Sequence, residues 1–254
     1  MRGPNSPLTK PIWAAAGPFD RCLRCAPSAG LKPKHHTRED AISRIVDLTH
    51  ILEPTQADAT RRFAVTQGPA IAEPEGKVRP EGEWYIMSHV DVMVHVGTHL
   101  ETPYHCLQEG DDLATLSLDR LIGEAAILDL RGAEAEGGVT LEQVQTAGAA
   151  SGGIHNGDIV FCNMGPTGNF STPGLQWLVD AGMKMMGVSS GGVELADPEH
   201  RNINHLVLFR QGIPLIEHLA HLDQLRQSRV TVYALPIPAK GVDAFPLRVI
   251  AVEA

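Results

Sequence analysis

From about residue 41 onward, short apolar runs alternate with segments of helical spacing. Residues 45–48 read as an opening strand. Across residues 85–96 the chain alternates. Val90, Val92, Val94 and Val96 fall on one face and His89, Asp91, Met93 and His95 on the other, which predicts a half-buried strand. Residues 125–130, 159–162, 185–189, 230–237 and 247–252 are apolar and rich in β-branched side chains, and predict five more. Between them lie helix signals. Thr140 precedes Leu141-Glu142-Gln143 and can cap a helix running to about Ala147. Ser171-Thr172-Pro173 opens another that reaches Ala181, with proline tolerated in the first turn. A third spans residues 203–211 and stops at Gly212, with Pro214 beyond. Strands interleaved with short helices predict a single α/β domain on a mixed sheet, residues 41–254.

Residues 1–40 break this pattern and predict a poorly ordered extension. The first 36 carry six Lys/Arg against Asp20 alone, with six prolines and no period of 2 or 3.6. Such a basic, acid-poor start also resembles a transit peptide. The run Trp13-Ala14-Ala15-Ala16 is too short for a secretory signal. Cys22 and Cys25 with His35-His36 make only weak evidence for zinc, since no second C-x-x-C accompanies them.

The whole chain carries 21 basic and 30 acidic residues, a net charge of −9, the wrong sign for a nucleic-acid partner. No apolar run approaches the roughly 18–20 residues of a membrane span. Four cysteines in 254 residues do not make a disulfide framework, so a reducing, cytoplasmic location is expected. The unusual count is 12 histidines. Three of them, His95, His99 and His105, fall within eleven residues, together with Glu101. Gly97 and Pro103 disfavour a helix there, so a strand running into a turn is expected to bring His95, His99 and Glu101 together. Two imidazoles and a carboxylate suit Zn or Mn alike and leave positions for water. A second group, His200, His205, Glu217, His218 and His221, lies far along the chain. A helix-to-strand return after Gly212 would bring His205 and Glu217 to one locus.

The segment from His95 to His105 fits H-x-G-T-H-x-[DE]-x-P-x-H, and by it the chain resembles the cyclase family of metal-dependent hydrolases, which includes bacterial kynurenine formamidases and isatin hydrolases. The resemblance runs from Ile45 to the C-terminus. It implies a swivelling β/β/α-type fold and a homodimer or homotetramer with the site near a subunit interface. It also implies His95, His99 and a bridging Glu101 as ligands of one ion, His205 and Glu217 as holders of another, and His105 as catalytic base or acid. Two features depart from the family. Glu101 stands where aspartate is usual, and an E-N-L-x-N-L-like run reads Glu217-His218-Leu219-Ala220-His221-Leu222. His218 and His221 are therefore candidate donors that orient the ligands from outside.

With one or two divalent ions per subunit, this set predicts hydrolysis of a C–N bond in a small amide, such as N-formylkynurenine or a cyclic amide. A bound ion lowers the pKa of water to about 7, and an imidazole such as His105 can hand a proton to the departing amine. Lactone hydrolysis or cyclisation on the same ions is the alternative. Two rivals come from other classes: a serine hydrolase, because Gly187-Val188-Ser189-Ser190-Gly191 fits G-x-S-x-G, and a non-catalytic metal-binding module. Trp84, Tyr85, Tyr104, Phe161 and Phe170 are candidates for an aromatic pocket.

Overall fold

The computed structural model describes residues 43–56, 59–69, 82, 86–133, 138–165, 168–195 and 203–254. The expectations for residues 1–40, for Trp84 and Tyr85, and for His200 lie outside them. The strands are β1 (Arg44–Asp47), β2 (Phe63–Pro69), β3 (Ile86–Val92), β4 (His99–Glu101), β5 (Ile122–Leu130), β6 (Ile159–Met164), β7 (Met185–Val188), β8 (Leu215–Glu217), β9 (Arg229–Ala234), β10 (Ala244–Pro246) and β11 (Val249–Glu253). The helices are α1 (Leu118–Leu121), α2 (Leu141–Ala150), α3 (Thr172–Asp180) and α4 (Ile203–Phe209). Among the described residues no helix is long and apolar enough to cross a membrane.

Nine strands form one mixed sheet in the order β1-β11-β9-β5-β6-β7-β8-β4-β10, with β5 to β8 parallel and the flanks antiparallel. The parallel strands are apolar on both faces, as strands covered on both sides must be. Leu128, Val160, Cys162, Met186 and Leu215 meet Val144 of α2, Leu175 and Leu178 of α3, and Leu208 and Phe209 of α4. On the other face Leu100, Ala125, Phe161, Ile216, Val232 and Val249, from strands far apart in the sheet order, converge on one second core. The sheet therefore curls around that core into a half-barrel. The two long helices start as the sequence predicts. Thr140 and Gln143 form a reciprocal capping box at α2, and the Ser171 hydroxyl accepts from Gly174 N at α3.

One strand departs from expectation. The alternating run predicted for residues 85–96 ends at Val92, pairs with the unpredicted β2 as a separate two-stranded ribbon, and is mostly exposed. Val90 is 49% exposed, so alternation here marks a ribbon open on both faces rather than a half-buried strand. Two of the aromatic candidates lie in the core rather than at a pocket. Phe161 and Phe170 are fully buried core residues, one in each hydrophobic cluster.

The C-terminal strand is locked by Glu253. Its carboxylate accepts from the amides of Arg226 (2.6 Å) and Gln227 (2.9 Å) and from the Arg44 guanidinium (2.5 Å). Burial works against the ionised form, but these donors outweigh it and hold the carboxyl below its usual range. A lowered folded-state pKa adds stability above the ordinary carboxyl value, and that stability is lost as pH falls through the lowered one. Glu253→Ala should cost about 1–3 kcal/mol near neutral pH. Urea midpoints of both proteins at about pH 7 and about pH 3 check this. A deficit of equal size at both would show that the ionised carboxylate is not its source.

Candidate active site

The antiparallel register of β4 on β8 sets His99 opposite Glu217 and Glu101 opposite Leu215. Strand alternation then sends His99, Glu101 and Glu217 to one face, while Leu100 and Ile216 enter the concave core on the other. α4 packs on that first face with Asn204, His205, Leu208 and Phe209 buried. Its position is set by Asn204, whose amide donates to the carbonyls of Phe170 and Val193, both at 2.8 Å. His95 sits in the turn between β3 and β4. Gly97 makes that turn possible at φ +60°, where an added Cβ would lie 2.3 Å from Leu52.

The structure thus gathers His95, His99, Glu101, His205 and Glu217 from four separate segments. Glu101 Oε1 lies 2.7 Å from His95 Nδ1 and 3.3 Å from His99 Nε2, and Oε2 lies 3.2 Å from His205 Nε2. Glu217 lies 3.5 Å from His99 Nε2 and 3.8 Å from His205 Nε2. Two groups, His95-His99-Glu101 and Glu101-His205-Glu217, have the spacing to hold a cation, and they share Glu101.

Proton placement decides what this cluster suits. Each of the three imidazoles donates from one nitrogen to an outer acceptor: His99 Nδ1 to the Gly97 carbonyl (2.8 Å), His95 Nε2 to Asp243 (2.8 Å) and His205 Nδ1 to Glu194 (2.7 Å). Carbonyl and carboxylate oxygens only accept, so those nitrogens carry the proton. In a neutral ring the other nitrogen bears a lone pair, and all three such nitrogens face Glu101 or Glu217. Lone pairs and carboxylates converging inside a protein need a cation between them or protons on the rings. Outward N–H donation with the second nitrogen turned inward is the arrangement that ligating histidines adopt. Glu101 Oε2 is moreover buried without a hydrogen-bond partner. The donor set fits a divalent ion.

The electrostatics agree. Burial works against the Glu101 carboxylate, yet hydrogen bonds from His205, His95 and His99 hold it far below the usual range. Burial likewise disfavours a charged His205, but Glu101, Glu194 and Glu217 outweigh it and its pKa is pushed up to about 12. Protons on the rings thus balance the carboxylates, and metal binding would displace them.

His105 follows β4 on a single 3₁₀ turn, Pro103–His105, and donates from Nδ1 to Asp243 at 2.8 Å. A cavity of about 420 Å³, the size of a small-molecule site, is lined by His95, Glu101, His105, His205, Glu217 and Arg61. His218 stands beside this group, its ring centroid 6.1 Å from that of His99, against Gly191, where a Cβ would come within 2.8 Å of it. Burial, the largest influence on it, lowers its pKa. His221 is not brought to the cluster. Its Nδ1 donates to the carbonyl of Asp47, which ties the 3₁₀ turn Leu222–Gln224 to β1.

The serine of the G-x-S-x-G run is occupied elsewhere. Ser189 Oγ accepts from Met164 N at 2.8 Å and donates to Met164 O at 3.2 Å, bracing the ends of β6 and β7. Two residues of the site escaped the sequence reading. Glu194 accepts from the backbone amides of Asn204 and His205 as well as from His205 Nδ1. Asp243 joins His95 to His105. Neither stands in a local pattern of ligands, and Asp243 lies 138 residues from His105.

Comparison with known proteins places this geometry. The sequence profile of the cyclase family, described as "Putative cyclase", matches residues 46–194, which include His95, His99, Glu101 and His105. The kynurenine formamidase of Bacillus thuringiensis (strain Al Hakam) is 26% identical over 162 residues, 62% of this chain and 75% of that protein. That of Bacillus cytotoxicus is 25% identical over 165 residues, 63% and 77% of the two chains. Isatin hydrolase A from Ralstonia solanacearum superposes with a TM-score of 0.69 at 20% identity, covering 84% of this chain and 92% of that one. A "potential metal-dependent hydrolase with cyclase activity" gives 0.65 at 22% identity, covering 84% and 98%. The structural likenesses speak to the fold, and the profile match, spanning more than half of the sequence, decides the family: the chain belongs to the cyclase family.

Proposed function

We propose that this protein is a metal-dependent hydrolase of small amides, an arylformamidase that converts N-formylkynurenine to kynurenine and formate or opens a related cyclic amide. The observation that carries the reading is the orientation of three imidazoles, each donating outward and turning its second nitrogen to Glu101 or Glu217. His95, His99 and Glu101 would hold one ion, and His205 and Glu217, with Glu101 shared, a second. When bound, zinc or manganese supplies Lewis acidity at the carbonyl oxygen and water acidic enough to ionise near neutral pH.

The chain's own residues supply the rest. Hydrolysis joins the oxygen of water to the carbonyl carbon and breaks the C–N bond, and the amine leaves only when protonated. His105 lines the cavity, and its Nε2 is the atom placed to move that proton, because Nδ1 is engaged outside. The small cavity restricts access to a small molecule. A cytoplasmic homodimer or homotetramer, with residues 1–40 as an extension outside the hydrolase domain of residues 41–254, completes the proposal. The relatives named kynurenine formamidase and isatin hydrolase direct the choice of substrates.

The test is metal removal and replacement. Dialysis against a chelator should abolish hydrolysis of N-formylkynurenine or isatin, and zinc or manganese should restore it. A fully metallated protein that turns over no formanilide, lactam or imide would favour a non-catalytic module. Preference for lactones would move the reaction to an ester bond.

A further inference from the structure

We propose that Asp243 is a positioning residue of this site: a single carboxylate oxygen that holds the proton-carrying His105 and the ligand His95 at once. The inference rests on the hydrolase reading and goes beyond it, since it assigns the geometry that keeps proton transfer in step with the ligands. Asp243 Oδ2 lies 2.8 Å from His105 Nδ1 and 2.8 Å from His95 Nε2. A carboxylate oxygen can only accept, so both nitrogens carry protons. The lone pair of neutral His105 is then confined to Nε2, and His95 turns its Nδ1 to Glu101, 2.7 Å away. Asp243 thereby selects one tautomer of His105 and orients the two rings, with centroids 4.6 Å apart at 51°.

The backbone that carries this carboxylate is itself held firmly. The Asp243 carbonyl accepts from Thr102 N at 2.8 Å and Thr102 Oγ1 at 3.0 Å, and the next residue, Ala244, pairs with Glu101 in the register of β10 on β4. Asp243 is therefore tied by backbone to the strand that carries Glu101. His95 and His105 line the cavity and Asp243 does not, so its two hydrogen bonds act on the site through those rings. The same three side chains also have the spacing to hold a cation, and the experiment must separate that role from positioning.

The experiment compares Asp243→Asn, His105→Ala and the double variant, all at saturating metal, and measures kcat, KM and bound metal. Asp243→Asn should lower kcat about 10- to 100-fold with little change in KM and the wild-type metal stoichiometry. The double variant should lose clearly less than the product of the two single losses, because Asp243 acts in large part through that ring and only otherwise through His95. A readout independent of turnover is the ¹⁵N resonance of His105, which should report Nδ1–H in the wild type and lose that tautomer in Asp243→Ala. Additive losses in kcat, a wild-type kcat in Asp243→Asn, or an unchanged tautomer in Asp243→Ala would overturn the proposal. So would loss of a full metal equivalent, which would make Asp243 a ligand. If the wild type hydrolyses no amide, the hydrolase reading fails, while the tautomer measurement still decides whether Asp243 orients His105.

Discussion

Glu101→Gln will strip the site of metal and of turnover together. Glu101 is 3% exposed and its two oxygens face three imidazoles, at 2.7 Å (His95), 3.3 Å (His99) and 3.2 Å (His205). Among the described residues it is the side chain common to the two candidate ion groups. Glutamine removes the charge and replaces one carboxylate oxygen by an amide N–H₂, which has no lone pair to offer a cation, so the anion shared by the groups disappears. Elemental analysis of the purified variant should find almost no zinc or manganese, and hydrolysis of N-formylkynurenine should fall to background, with circular dichroism unchanged. A fully metallated Glu101→Gln protein would refute the bridging role. Glu101→Asp makes an informative companion. It keeps the charge but withdraws the oxygens by about 1.5 Å from rings placed for glutamate, and partial metal occupancy is expected.

The second large effect belongs to His105. His105→Ala should lower kcat by about 10²–10⁴ while leaving the metal in place. The separation follows from geometry: His105 lines the cavity, yet its hydrogen bond goes to Asp243 and not to Glu101 or Glu217. On the proposed roles, removing it takes away the proton carrier and leaves Glu101 and Glu217 with the contacts given above. Metal content and kcat measured on one preparation test this. Unchanged turnover would remove the assigned role, and a variant lacking metal would show His105 to be a ligand.

The helix starts at Ser171 and Thr140 were legible because a cap and its first turn lie within four residues, so local chemistry decides them. The eleven-residue segment that holds His95, His99, Glu101 and His105 was legible for a similar reason, since Gly97 and Pro103 constrain the backbone wherever the segment is placed. Alternation misled at β3. The pattern of side chains predicts a strand but not what covers it, and no third strand or helix of the described residues shields Val90. Asp243 and Glu194 were not legible, because their value lies in hydrogen bonds that span 138, 148 and 11 residues and follow from strand pairing and helix docking.

By itself, then, the order of residues determined the supply of donors: which imidazoles and carboxylates exist, and which of them are neighbours along the backbone. The tertiary structure decided which nitrogen of each ring faces inward. That choice depends on acceptors contributed by Asp243, just before β10, and by the segment before α4, and on the register that sets β4 against β8. Register is fixed by the packing of Leu100 and Ile216 into the concave core, a long-range interaction that no local spacing encodes.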